Sequence, residues 1–378
     1  MNKTTKQIKA NLIAIAVLFT LTIAIVILAQ FKNIAEWWIN VYRELAYVSL
    51  DIYKGMKFDA FEWFMFSLAL ASVVCLGFII YYFVHKNKQE ALRLLTILLI
   101  IIMAVVFIFV FMSYPLYKRD KLNIKEEETL LTNDQARAIA YQYFDDFNNL
   151  VDSMVTTEDG VWCKYSDLEL EQMICEAYKI LDDNPYFARV YAEPKKIAFS
   201  AVMNWFSIAG ITSMPTIEPG YNKLMPMQDK CVAIAHELAH TRGIMREDDA
   251  NETAYYVLLN ADNEYLRYVG YLYTCYQMLY VLILTNTEFD VSILPKGARI
   301  DLVESTNYWE ENGVLDKIGD AINSLYLKIN GQDGTKSYGS YDTHEENKTI
   351  DEEGNEVVEY TVTSYSHVQN MIFALYNS

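Results

Sequence analysis

The chain has 378 residues, of which 53% are hydrophobic, and its formal net charge at pH 7 is −18. The negative charge lies after residue 125, because the first 125 residues hold more lysine and arginine than aspartate and glutamate. Such an acidic domain excludes nucleic acid as a partner held by the surface field. The five cysteines include no CxxC pair, so the sequence indicates neither a disulfide framework nor a cysteine metal site.

Three long apolar segments lie near the start of the chain, at about residues 11–31, 63–84 and 94–114. Each is near or above the ~20 residues that a helix needs to cross a bilayer. The first has no small-x-small cleavage pattern before Phe31, so it indicates an uncleaved anchor rather than a signal peptide. We therefore predict a membrane domain of three transmembrane helices over residues 1–117 and a soluble domain over residues 118–378.

Between the first two spans, apolar residues recur at helical spacing at Ile34, Trp38, Val41, Leu45, Val48 and Ile52. This pattern predicts an amphipathic helix. The tryptophans at its start favour a position along the membrane surface. Packing against the soluble domain would produce the same stripe and is the alternative.

The chain is predicted to cross a cell membrane several times. The positive charges in its short loops predict which side of the membrane each loop faces. The lysines and arginines concerned are Lys3, Lys6 and Lys9 before the first span, and Lys86, Lys88 and Arg93 between the second and third. Both groups are expected on the cytoplasmic side. Three crossings then place the soluble domain outside the cytoplasm, although the longer outer loop also carries lysines, diluted there by acidic residues.

The soluble part has a mainly helical pattern with a small β element. Thr132 with Gln135, and Ser166 with Glu169, form two capping boxes that each precede a helical stripe. The most strand-like part is 196–222, where glycine and proline break the chain into short pieces. Further helices are predicted at about 264–284, 297–311 and 314–329, followed by a hairpin within 333–365, with its turn at Glu353-Gly354-Asn355, and a short C-terminal helix.

The sequence His236-Glu237-Leu238-Ala239-His240 is an HExxH motif. Residues four apart on a helix lie on the same face, so His236 and His240 can offer imidazole nitrogens to one ion. Two such ligands are half of a tetrahedral zinc site. Glu237 lies beside them and is placed to take a proton from a water in the remaining coordination position. The alternative is an ordinary amphipathic helix that binds no metal.

A third ligand is expected from the helix that follows. Gly243 predicts the end of the first helix, and a new helical pattern starts near Glu247. Glu247 is the preferred third ligand. Asp248 and Asp249 remain alternatives, because an acidic first turn is also typical of any helix N-terminus. Tyr268 or another tyrosine of the helix at 264–284 is a candidate for stabilising the oxyanion that would develop during hydrolysis.

Several segments together carry a resemblance to a known family. They are HELAHTRGIMREDDAN, Glu218 with Asn222, 267–272, 326–328, 330–332 and Ser337-Tyr338-Gly339. In these the chain resembles a bacterial membrane family known as domain of unknown function 3810, whose members carry an HExxH motif. Ile217 and Pro219 depart from the small residues that flank the glutamate of that family, so the resemblance assigns Glu218 no role.

A second resemblance concerns the helix after the motif. Glu247-x-x-Ala250-Asn251 is similar to the Glu-x-x-Ala-Asp/Asn helix of gluzincin peptidases, in which the first glutamate binds zinc. By that resemblance Asn251 would orient a ligand histidine. The motif and the resemblance imply a membrane-anchored, zincin-like metallopeptidase with Zn²⁺ as cofactor, acting on a peptide or protein substrate. The alternative is a catalytically inactive, membrane-tethered sensor or binding domain that retains the fold.

Overall fold

The structure is a computed structural model that describes residues 3–53, 55–56, 58–122, 124, 131–334, 343–350 and 356–377. The helices are α1 (Lys3–Leu28), α2 (Lys32–Tyr53), α3 (Ala60–Val84), α4 (Lys88–Ser113), α5 (Asn133–Asp152), α6 (Asp167–Ala177), α7 (Ser200–Trp205), α8 (Met227–Thr241), α9 (Glu247–Leu259), α10 (Glu264–Leu284), α11 (Lys296–Asn312), α12 (Asp316–Ile329) and α13 (His367–Tyr376). The strands are β1 (Thr156–Thr157), β2 (Gly160–Val161), β3 (Lys195–Lys196), β4 (Gly210–Ser213), β5 (Glu218–Tyr221), β6 (Thr343–Ile350) and β7 (Glu356–Ser364). The predicted fold class, mainly helical with a small β element, is confirmed.

Helices α1, α3 and α4 are long and apolar enough to cross a membrane, which confirms the three predicted spans. Their apolar side chains are largely exposed on the protein, as expected of surfaces that face lipid. Helix α4 packs against both of the others. A hydrogen bond of 2.9 Å from Asn11 Nδ2 to Thr96 Oγ1 joins α1 to α4.

Helix α2, between the first two spans, packs against the part of the chain that follows the third span. Its buried residues are Ala35, Trp38, Ile39, Tyr42, Ala46 and Ser49. The small residues in this set let the helix approach its neighbours closely, whereas Val48 and Ile52 of the predicted stripe are exposed. The alternative interpretation, packing against the soluble domain, is therefore the one that the structure shows.

The part of the chain after α4 is built around α10, whose bounds match the predicted 264–284. Helix α10 packs against α5, α8, α9 and α13. Both predicted capping boxes are present, at the N-termini of α5 and α6. The helices predicted at 297–311 and 314–329 are confirmed as α11 and α12, with ends that differ by one or two residues.

A three-stranded sheet in the order β3-β5-β4 covers one side of α8. Strand β5 pairs parallel with β3 and antiparallel with β4, so β4 forms an edge of the sheet. The strand-like pattern predicted for 196–222 is correct in part, because this segment contains β4, β5 and the end of β3. It missed α7, which lies between β3 and β4 and is only six residues long.

The hairpin predicted near the C-terminus is present as β6 and β7, which pair antiparallel. Its register runs from Thr343 opposite Ser364 to Ile350 opposite Glu356. The predicted turn at Glu353-Gly354-Asn355 and the Ser337-Tyr338-Gly339 segment lie outside the described residues. Strand β7 also packs against α10, so the hairpin is attached to the core of the soluble part.

Candidate metal centre

Helices α8 and α9 are joined by a tight turn that folds the second back on the first. Gly243 has a φ of +87°, and the Ile244 N–H donates to Ala239 O at 3.2 Å, as in a Schellman ending. Ala235 and Ala239 are fully buried between the packed helices. The predicted helix end at Gly243 and helix start at Glu247 are both confirmed.

This turn brings His236, His240 and Glu247 together. His240 Nε2 lies 3.0 Å from His236 Nε2, and Glu247 Oε2 lies 3.1 Å from the first histidine's Nε2 and 3.6 Å from the second's. A tetrahedral zinc ion with bonds of about 2.0–2.1 Å separates its ligand atoms by roughly 3.3 Å. The three separations therefore fit one tetrahedral ion.

The outer nitrogens of both imidazoles are held by acceptors. His236 Nδ1 lies 2.8 Å from Asn251 Oδ1, and His240 Nδ1 lies 2.6 Å from Ile244 O. Because both partners are oxygens that accept, each Nδ1 carries a proton, and a ring with no second proton presents a bare Nε2 to the cluster. Two nitrogen lone pairs and a carboxylate oxygen thus face one point, which is the donor set that a cation satisfies.

Electrostatics within the cluster agree with this geometry. Burial opposes charge on Glu247, but the two histidines outweigh it and lower the pKa of this carboxyl. Burial lowers the pKa of His240, yet the neighbouring carboxylates of Glu247 and Glu237 raise it overall. The cluster therefore favours an added positive charge, whether a proton or a metal ion.

Glu237 lies beside the cluster and is held by the edge strand β4. Thr212 Oγ1 donates to Glu237 Oε2 at 2.7 Å and lies 2.8 Å from the Glu237 backbone oxygen. A Cβ atom at Gly210 would lie 2.6 Å from Glu237 Cγ and Oε1, so the strand passes too close for a side chain there. Burial raises the pKa of Glu237.

Two side chains make contacts at the C-terminal end of α8, the helix that carries His236 and His240. The Tyr42 hydroxyl on α2 lies 3.2 Å from His240 O and 3.0 Å from Thr241 O, the last carbonyls of α8. The Arg242 guanidinium at the same end of the helix binds Asp182 at 2.7 Å, while the Arg242 backbone N–H donates to Ala239 O at 2.9 Å. Sequence reasoning missed Tyr42 and Thr212, because their partners lie far away in the chain.

The two alternatives to Glu247 point elsewhere. Asp248 Oδ2 lies 3.4 Å from Lys121 Nζ, and Asp249 Oδ2 accepts from the Leu122 N–H at 3.2 Å. Only Glu247 joins the two histidines in the cluster that the described residues form. The first turn of α9 thus divides its acidic residues between the cluster and the segment that follows the third span.

Tyr268 is not a candidate for stabilising an oxyanion at this site. Its ring is fully buried, and its hydroxyl donates to the Asp301 carboxylate. Asp301 also accepts from the Val161 N–H, at 3.3 Å. The sequence could not show this, because Asp301 is 33 residues further along the chain.

A cavity of about 1010 Å³ lies on the opposite side of α8. Leu238 and Arg242 line it, and on a helix these residues face away from His236 and His240. Tyr178, whose hydroxyl donates to Ala235 O, forms part of its wall. The cavity is therefore separated from His236, His240 and Glu247 by the helix itself.

The family model described as Protein of unknown function (DUF3810) matches residues 37–341, from within α2 to beyond α12. The chain belongs to this family. The DUF3810 match includes α3, α4, the HExxH helix and Glu247, whereas α1 lies before it. No curated protein and no solved structure matches the chain. The resemblance to gluzincins stays a prediction.

Proposed function

We propose that this DUF3810 protein is a membrane-anchored, zinc-dependent metallopeptidase that hydrolyses peptide bonds in a peptide or protein substrate. One observation carries the proposal. The bare Nε2 atoms of His236 and His240 and a Glu247 oxygen meet at tetrahedral spacing, and a fourth group, Glu237, lies beside them without joining the cluster. A purely structural metal site has no use for that extra carboxylate.

The residues present fit zinc better than a hard cation, because two of the three donors are imidazole nitrogens. When bound in such a site, zinc lowers the pKa of a water towards ~7 and polarises a carbonyl. His236 and His240 would hold it, with their tautomers fixed by Asn251 and Ile244 O. Glu247 would supply the third bond and part of the neutralising charge.

Glu237 would act as the general base. Its carboxylate accepts the proton of the attacking water and later passes it to the leaving amine. Burial raises the pKa of Glu237, which makes its carboxylate a stronger base towards the proton of the water. Thr212 holds one oxygen of the carboxylate, so the other remains to meet the water.

Strand β4 offers a place for the substrate backbone. It is an edge of the sheet, it lies against α8, and it carries Thr212 beside Glu237. An extended peptide added to such an edge would run past the base. We further propose, from the lysines in the first turns of α1 and the basic residues at and just after the link between α3 and α4, that this site faces the outside of the cytoplasmic membrane.

The test compares the purified full-length protein with its Glu237→Gln variant on a peptide library. The variant should keep its zinc and lose cleavage by roughly 10²-fold or more, the scale of a positioned acid/base group. Glu252→Gln is the matched control, since Glu252 is a buried glutamate on the neighbouring helix. Equal cleavage by wild type and Glu237→Gln would refute the mechanism. Zinc binding without cleavage by either would favour the sensor alternative.

A further inference from the structure

Helix α12 exposes a continuous apolar face. Its residues are Ile318, Ile322, Leu325 and Ile329, with Val314 just before the helix. Their spacing of three and four places them on one side, and they are between 53% and 74% exposed. Charged residues, including Lys317 and Asp320, occupy an adjacent exposed face, while Leu327 is fully buried against the protein. We call the first set the apolar face of α12.

The C-terminal end of α12 meets the end of the span α4. The Tyr117 hydroxyl lies 3.3 Å from the Tyr326 hydroxyl, and Lys118 Nζ donates to Asn330 O at 3.1 Å. Tyr117 and Lys118 follow the last residue of α4, Ser113, by only a few residues. This end of α12 therefore lies where α4 leaves the bilayer.

The N-terminal end of α12 leads to the start of the span α3. The Leu315 N–H donates to Trp205 O at 2.6 Å, which joins this end to α7. Just before α7, the Phe199 ring packs on Trp63 and Phe66 of α3, with ring centroids 5.8 and 5.3 Å apart. Because α3 and α4 are consecutive spans, the start of the first and the end of the second lie at the same bilayer surface.

We propose that the apolar face of α12 lies in the interfacial layer of the bilayer that α1, α3 and α4 cross. Both ends of the helix are tied to one membrane surface, so its length of about 21 Å runs along that surface. An amphipathic helix in this position buries its apolar side among the acyl chains and keeps its charged side at the headgroups. The apolar side chains are then covered by the lipid that already surrounds the adjoining spans.

The charge on the helix specifies how it is held. Lys317 and Lys328 are balanced by Asp316 and Asp320, so α12 has no net charge to attract anionic lipid. Burial of the apolar face alone must hold it, and a zwitterionic bilayer is sufficient. After α12, Gln332 Oε1 lies 3.5 Å from the Glu247 backbone nitrogen, so the segment that follows the helix reaches the N-terminus of α9.

The test uses full-length protein in which serine replaces the three partly exposed cysteines, Cys75, Cys163 and Cys175. Ile322→Cys is labelled with an environment-sensitive fluorophore and reconstituted in phosphatidylcholine vesicles with or without brominated acyl chains. Asp320→Cys is the matched control on the charged face. A separate protein that keeps Cys75, inside α3, and has serine at Cys163 and Cys175 gives the reference for a site within the bilayer.

Quenching by brominated lipid at position 322 should approach that at Cys75 and exceed that at position 320 by roughly threefold. A second pair, Ile329→Cys with Lys317→Cys, repeats the comparison, so that a defect in one variant does not decide the result. Equal, weak quenching at 322 and 320 would overturn the proposal. So would cross-linking of position 322 to a second copy in the vesicles, because the covering surface would then be protein.

Discussion

The carboxylate of Glu218 accepts the backbone N–H of Ala60, which lies 3.1 and 3.2 Å from its two oxygens. Glu218 begins β5, and Ala60 begins the span α3. In the opposite direction, the Glu62 carboxylate of α3 accepts hydrogen bonds from the N–H groups of Ala198 and Phe199, at 2.9 and 2.7 Å. These two residues lie just after β3. A membrane span and the sheet beside α8 are thus joined by two carboxylates, one from each side.

Replacing Glu218 by glutamine should loosen this joint. The amide keeps one acceptor oxygen but loses the negative charge at the helix N-terminus, which we expect to destabilise the protein by about 1–2 kcal/mol. The measurement is the thermal unfolding of detergent-solubilised protein. Glu193→Gln, at an exposed glutamate, is the control. An unchanged unfolding temperature for Glu218→Gln would show that the joint contributes little.

Thr212→Val should impair turnover while leaving zinc bound. Without the hydroxyl, the Glu237 carboxylate loses its 2.7 Å hydrogen bond and its fixed orientation. We expect kcat to fall by about tenfold with little change in KM, since Thr212 positions the base. Steady-state kinetics on a cleaved peptide measure both constants. Thr212→Ser should restore most of kcat, and a serine variant as poor as valine would contradict the positioning role.

The grouping of His236, His240 and Glu247 was predictable from the sequence because its parts are local. Two histidines one helical turn apart, a glycine that ends the helix, and an acidic residue just beyond it fix the cluster within twelve residues. Thr212 and Tyr42 depend instead on contacts across 25 and 198 residues of chain. Glu218 was visible as part of a family pattern, but its partner is the backbone of a span, which no side-chain motif records.

The packing of α2 illustrates a second limit. The large apolar residues of this helix predict a stripe, yet the buried face is centred on Ala35, Tyr42 and Ala46. Small side chains allow the helix to lie close to its neighbours, and the Tyr42 hydroxyl then reaches the end of α8. Hydrophobic periodicity alone reports the apolar face, not the partner that approaches most closely.

Asp229 should make stability depend on pH. Burial raises its pKa to about 6, although hydrogen bonds from Ser305 and Trp309 lower it. The unfolded value is about 3.9. The folded protein therefore holds the proton of the Asp229 carboxyl more tightly than the unfolded chain does. The stability that this protonation contributes is present below about pH 4 and is lost as pH rises through about 6. The difference between the two pKa values corresponds to a loss of about 3 kcal/mol in the free energy of unfolding.

Asp229→Asn should remove that loss, because asparagine does not titrate. The measurement is the unfolding temperature of both proteins at pH 4.5 and 7.5. The unfolding temperature of the variant relative to that of wild type should be higher at pH 7.5 than at pH 4.5. Asp134→Asn, at an exposed aspartate, should follow the wild-type profile. If the difference between Asp229→Asn and wild type is the same at both pH values, titration of Asp229 is not coupled to folding.

The proposed orientation predicts that the C-terminus lies outside the cytoplasm. Reporter fusions to the intact protein, one after the C-terminal residue and one in the link between α3 and α4, should report opposite sides of the membrane. The link carries Lys86, Lys88 begins α4, and the link should be cytoplasmic. A cytoplasmic C-terminus would reverse the topology, and it would leave the chemistry of the metal cluster unchanged.

The central claim is tested most directly by the zinc content of the purified full-length protein. Wild type should hold about one zinc per chain, and so should Asp248→Asn and Asp249→Asn, whose side chains point away from the cluster. His236→Ala, His240→Ala and Glu247→Gln should each lose most of it. If these three variants hold as much zinc as wild type, the His236, His240 and Glu247 site is not where the protein binds its metal.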